Sequence, residues 1–300
     1  MKKESSRNEW SGKSRGGALG YLSFVYIIKT FGLTAAYALL AIVVIYFIPF
    51  APKATSSVWY FSRKILGNSR LGSLIFLYKN YFSLGVTLID KTAVAAGKAD
   101  EFSFEFHEPE EVKKILNDKS GAIIIGAHFG NWEVGAPFFD KYGKEMRVVM
   151  MDAEYQKIKM ILEREKRVDT FKVISISEDI FSNIFEIRDA LAEGAYVAIQ
   201  GDRLTSSTKN ETVKFMGADA QFPLGPFIIA ARFGFPVVFY YAVRTGFKHY
   251  SFHFSLCPVS GSNPQKRIFE KQILEEYVKS LEKVVKIAPE QWYNYYKFWI

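Results

Sequence analysis

Between Lys29 and Lys53 the chain carries no charged side chain. The 23 residues from Thr30 to Pro52 read TFGLTAAYALLAIVVIYFIPFAP, and about 20 apolar residues are enough to cross the hydrocarbon of a bilayer. The run shows no amphipathic period. Its aromatics, Tyr37, Tyr46, Phe47 and Phe50, lie toward the ends, as interfacial anchors do. It is too long for the apolar part of a signal peptide, and no small-residue cleavage pattern follows it. A membrane segment is therefore expected over residues 30–52, behind a basic leader over residues 1–29. In that leader Lys2, Lys3, Arg7, Lys13, Arg15 and Lys29 face only Glu4 and Glu9. The far flank is basic as well, with Lys53, Arg63, Lys64 and Arg70, so the bias of cations toward the cytoplasm gives no orientation. A spanning segment and an interfacial one both stay open. Residues 53–99 continue aromatic and basic and are expected to form amphipathic, membrane-proximal helices.

Composition narrows the classes further. Of 300 residues, 49% are hydrophobic and 23% charged, which excludes disordered and collagen-like chains. One cysteine, Cys257, excludes an internal disulfide and a cysteine-built zinc site. The net charge of +8 favours anionic partners: nucleic acid, anionic lipid or an acidic carrier protein.

From about residue 100, short apolar runs alternate with longer helical ones. That pattern predicts an α/β fold, a mixed and mostly parallel sheet flanked by helices, with the membrane-associated helical segment N-terminal to it. Strands are expected at Ala122–Ile125, Arg147–Met151, Phe171–Ile176, Tyr196–Gln200, Pro236–Val243 and Tyr250–Leu256. Helices are expected at Trp132–Tyr142, Asp152–Lys166, Asp179–Glu193, Pro223–Phe233 and Phe269–Ile287. The polar, turn-rich stretch Gly201–Gln221 reads as a loop beside a site.

The chemistry concentrates in GAIIIGAHFGNWEVGAPFF, residues 121–139. A buried strand runs into a glycine-bearing turn that carries His128. Asn131 is placed to cap the following helix, and Glu133 falls in its first turn. On one continuous helix, positions five apart point to different faces. With His128 in the turn, the chain can bend so that Glu133 fixes one imidazole nitrogen and leaves the other as a base for a hydroxyl. Gly126, Gly130 and the helix N-terminus would let an oxyanion approach the backbone. Two motifs in the leader lack this context. Gly12-Lys13-Ser14-Arg15-Gly16 resembles a nucleophile elbow without its strand and helix, and Gly12-Lys13-Ser14 is half a phosphate loop. His249 and His253 share a strand face without a third ligand, so no metal is expected there. His107 reads as exposed, and Cys257 lacks a basic group to activate it.

The run His128-Phe129-Gly130-Asn131-Trp132-Glu133, behind a basic leader and an apolar segment, resembles the lipid A late acyltransferases, the lauroyl and myristoyl transferases within the lysophospholipid acyltransferase superfamily. Glycerolipid members of that superfamily typically carry Asp where Glu133 stands. The resemblance extends from about residue 10 to residue 300. Pro289-Glu290-Gln291-Trp292-Tyr293-Asn294-Tyr295-Tyr296-Lys297-Phe298 is similar to that family's P-E-Q-[WY]-x-W block, with Asn294 or Tyr295 in place of its last Trp. Gln200-Gly201-Asp202-Arg203 ends a strand as the family's second block does, and Asp202 or Arg203 is expected to touch acceptor or carrier phosphate. Arg164 and Arg167 fall where the family carries a functional Arg. Lys214–Gly217 and Phe222–Pro226 are similar to the stretch that opens a helix near the acyl chain, without its hydroxyl residue.

The resemblance implies a membrane-associated acyltransferase with its catalytic domain over residues 100–300, on the cytoplasmic face of a bacterial inner membrane. His128 and Glu133 would be catalytic, with Asn131, Asp202, Arg203, Arg164 and Arg167 binding substrate. The acyl donor would be an acyl carrier protein, or acyl-CoA, and the acceptor a lipid A-type hydroxyl. No metal, cofactor or nucleic acid partner is expected. Two alternatives remain at this point. One keeps the chemistry on another acceptor: an aminolipid, a lysophospholipid or an aryl-polyene pigment. The other is a non-catalytic, membrane-tethered basic binding protein.

Overall fold

The residues Ala122–Gly126, AIIIG, are buried from end to end. A strand without a polar face must be covered on both sides, as inner strands of parallel sheets are. In the computed structural model, which describes residues 18–95, 97–151, 171–176, 183–204, 209–259 and 266–300, the other strands assemble around it. In chain order the strands are β1 Ser103–His107, β2 Ala122–Gly126, β3 Met146–Met151, β4 Lys172–Ile176, β5 Tyr196–Gln200, β6 Asn210–Phe215, β7 Ala218–Pro223, β8 Val237–Gly246 and β9 His249–Leu256. Seven form one sheet in the order β1-β9-β8-β2-β5-β3-β4. The run from β8 to β4 is parallel throughout. β9 returns antiparallel to β8, and β1 lies parallel to β9. The sheet is thus mixed and mostly parallel, with helices on its faces, as the alternating pattern predicts.

The described helices are α1 Ala18–Phe50, α2 Pro52–Tyr60, α3 Arg70–Ala95, α4 Glu110–Asn117, α5 Ile184–Ala192, α6 Gly225–Phe233 and α7 Lys266–Ile287. α1 begins earlier than the expected apolar segment and covers it as far as Phe50, while Pro52 already opens α2. The helical path of α1 breaks at Gly32, whose φ is 81°, and Phe24–Phe50 is long and apolar enough to cross a membrane. α3 links α1 to the sheet domain. Tyr37 of α1 bonds Asp90 of α3, and Asn80 of α3 donates to the carbonyls of Glu290 and Trp292 at 3.0 and 3.2 Å. One continuous core runs from Ile28 through α3 to Trp299.

Three local expectations are corrected. The loop expected over residues 201–221 contains β6 and the start of β7, paired antiparallel. Met216 and Gly217 turn this hairpin with φ of 53° and 83°, and two positive φ values match the twist of paired strands. The helix expected at Trp132–Tyr142 is present as a 3-10 run. β1 was not anticipated, because five residues of alternating burial give a weak signal. The helix expected at Asp152–Lys166 lies outside the described residues.

Candidate active site

β2 and β5 are neighbours, with Gly126 opposite Gln200. His128 and Asp202 each follow two residues beyond that pair, so both side chains emerge at the carboxyl ends of adjacent parallel strands. Open α/β sheets present ligands at such ends. The His128 imidazole donates from Nδ1 to Asp202 Oδ1 at 2.7 Å. The His128 backbone N–H also donates to the carboxylate, at 3.0 Å from Oδ2. The His128 side chain keeps 18% exposure while that of Asp202 keeps 2%.

Asp202 is held from the other side by residues near the end of the sequence. The Trp292 indole donates to Oδ2 at 3.0 Å, and the Tyr296 hydroxyl donates to the Asp202 carbonyl at 2.6 Å. Burial by itself would raise the Asp202 pKa. The charge and hydrogen bond of His128, the Arg203 charge and the Trp292 N–H outweigh it and hold the carboxyl below the usual range.

The segment after α7 also fixes the turn itself. Gly130 N–H donates to Gln291 C=O, and Tyr293 N–H donates to His128 C=O, both at 2.8 Å. Gln291 in turn braces β8 through the backbone of Arg244. The Tyr293 hydroxyl lies 3.0 and 2.8 Å from Ser83 and Thr87 of α3. At Gly130 φ is +58°, and a Cβ there would stand 1.7 Å from the Ala242 carbonyl oxygen. Only glycine fits this crossing of turn and strand.

Two expectations about the turn change here. Glu133 was expected to orient His128. Its carboxylate instead pairs with Lys91 of α3 at 3.0 Å, and Asp202 accepts the hydrogen bond of the imidazole Nδ1–H. The backbone was expected to receive an oxyanion. The N–H groups of residues 128–131 are committed to Asp202, Ala127, Gln291 and Ala242, so this stretch of the turn does not offer its own N–H groups to an oxyanion.

Asn131 is 1% exposed, and its amide donates to Thr87 C=O and toward the Tyr250 hydroxyl. It joins turn, α3 and β9, rather than capping a helix or facing solvent. Arg203 directly follows Asp202 and contributes positive charge to it. Arg164 and Arg167 lie outside the described residues. Lys91, Trp292 and Tyr296 were not singled out as site residues from sequence. That His128 and Asp202 each closely follow the end of an expected strand was the available sign of the pair.

The sheet thus brings a buried carboxylate and a partly exposed imidazole together at the ends of adjacent parallel strands. The model of the bacterial lipid A biosynthesis acyltransferase family matches residues 77–299. The chain belongs to that family and is an acyltransferase that acts on lipid. A comparison with curated proteins found no match. The matched span begins within α3, consistent with the role of that helix in bracing the turn.

Proposed function

We propose that this protein moves a fatty acyl group from an acyl carrier protein to a hydroxyl of a lipid A-type acceptor, at the cytoplasmic face of a bacterial inner membrane. The observation that carries the reading is the 2.7 Å contact between His128 Nδ1 and Asp202 Oδ1, at an imidazole that is still accessible. The ionised carboxylate keeps the proton on Nδ1, so Nε2 is the basic nitrogen. Nε2 takes the proton of the acceptor hydroxyl as its oxygen attacks the thioester carbonyl. The resulting oxyanion collapses, the C–S bond breaks, and Nε2–H returns the proton to the leaving thiolate. Such general-base assistance contributes typically about 10²–10⁴ in rate.

With the turn N–H groups committed, cationic side chains serve the oxyanion and the phosphates. Arg203 is proposed beside the oxyanion. Lys91, held by Glu133, is proposed to meet an anionic group of the acceptor. In this arrangement Glu133 acts by positioning Lys91. The chemistry requires no metal or redox cofactor. The charge of +8 suits an acidic carrier protein docking near the membrane.

The test is product identification. Protein purified in detergent is supplied with labelled acyl carrier protein and a lipid A precursor within total bacterial lipid, and products are read by mass spectrometry beside His128→Ala. Label on the precursor, lost in the variant, is the expected result. Label on a different lipid would overturn the acceptor and keep the mechanism. Equal products from wild type and variant would overturn the base assignment.

A further inference from the structure

From Phe31 to Phe50 α1 carries no charged side chain, but its sides are not equivalent. Leu33, Ala36, Tyr37, Leu40 and Val44 are buried, and their spacing of three and four places them on one face. Phe31, Ile42, Ile45 and Tyr46, on the other, are 64–69% exposed. On α3, Leu71, Leu74 and Ile75 are also exposed. These three share a helix face with Tyr78, whose hydroxyl donates to Ala41 C=O of α1 at 3.2 Å. The two exposed apolar surfaces therefore adjoin.

The buried face meets polar neighbours halfway along. Tyr37 lies within Phe24–Phe50, about one turn after the break at Gly32. Its hydroxyl donates to Asp90 at 2.5 Å, its ring packs edge-on against Phe247 at 5.6 Å, and the Arg244 guanidinium lies 5.9 Å from it. Phe247 stands at the β8–β9 turn. Its neighbour Lys248 pairs with Glu101 at 2.6 Å, and Glu101 pairs with Lys98 at 2.9 Å. If the unbroken part from Leu33 to Phe50 stood across the bilayer, Tyr37 would lie inside hydrocarbon about 30 Å thick. The helix would carry the β8–β9 turn and its charges there, where ionised groups are strongly disfavoured. With the helix lying in the interface, the apolar face enters the lipid and the charged turn stays in water.

We infer that α1 does not cross the membrane: α1 and the first part of α3 form one monotopic face that dips into an anionic bilayer, leaving the leader and the catalytic domain on the same side. Lys53 and Arg70 are exposed and adjoin Phe50 and Leu71 in sequence, as cations facing anionic headgroups do. The inference rests on the membrane-associated reading above and adds its topology.

Side-specific labelling tests it in the full-length chain. Ser14→Cys, in the leader, and Glu111→Cys, exposed in the catalytic domain, are made separately. The native Cys257 is buried, so wild type serves as the blank. A membrane-impermeant maleimide is applied to spheroplasts and to inverted inner-membrane vesicles. The expected result is that both variants label in inverted vesicles and neither labels in spheroplasts. Labelling of the two on opposite sides would overturn the inference. Recovery of the protein in the soluble fraction would overturn it too, while the acyl-transfer assay in detergent could still succeed. Both labelling only in spheroplasts would uphold the monotopic face and overturn the cytoplasmic location.

Discussion

At the scale of single residues, Asp202 carries most of the site's order. It receives a side chain and a backbone N–H from His128 and an indole N–H from Trp292. Asp202→Asn keeps the shape but no longer enforces the proton on Nδ1, so acyl transfer should fall by about 10²–10⁴, measured as kcat on protein whose circular dichroism is unchanged. Trp292→Phe keeps the ring and removes one donor to a charged acceptor, an interaction worth about 1.5–3 kcal/mol. Its kcat should fall by roughly 10–100-fold, with KM for the acyl donor nearly constant. The sequence made His128 legible through its strand and glycine turn. It did not make the partner legible: Glu133 is close in the chain, whereas Asp202 is close only once β2 and β5 pair. Local spacing favours the nearer carboxylate, and sheet register decides for the farther one.

At the scale of elements, the junction of α1, α3, β8 and β9 is organised around a second buried carboxylate. Asp90 accepts from Tyr37 and Tyr250, each at 2.5 Å, with Arg244 Nε at 3.8 Å. Burial raises its pKa, and the two hydroxyls and Arg244 only partly offset this. A raised folded pKa means that the folded state binds the proton more tightly than the unfolded chain does. Stability from this group is present below its unfolded value of about 3.9 and is lost as pH rises through the folded value. Thermal melts of wild type and Asp90→Asn at stepped pH should therefore diverge, with the variant gaining on wild type as pH rises from about 4. Parallel melts would show that Asp90 does not titrate across folding. For Asp202 the sign is opposite: its folded pKa is depressed, so its contribution is lost as pH falls through that depressed value. The strands were largely legible because buried β-branched runs announce themselves. The β6–β7 hairpin was not: its burial alternates over polar residues, and its turn depends on a non-glycine residue, Met216, at positive φ.

At the scale of the whole molecule, the segment 289–299 binds the parts together. Asn80 reaches from α3 to its backbone, Tyr293 to the turn that carries His128, and Trp299 stacks on Phe61 beside α2. Asn80→Ala should cost about 1–3 kcal/mol by stranding the buried Trp292 carbonyl and the partly buried Glu290 carbonyl. It should also lower activity from a distance, because the same segment positions His128; a lower melting temperature with unchanged kcat would refute that link. The similarity of residues 289–298 to a known block marked this segment in the sequence. Its physical task, to latch Asp202 and the turn, needed three-dimensional contacts to become visible. The latch also sets a schedule. His128 and Asp202 leave the ribosome well before Trp292, and at about 5–20 residues per second the two partners wait several seconds for it. Through that interval the chain holds His128 and Asp202 without the segment that fixes their geometry, so the pair is set late although its residues are made early.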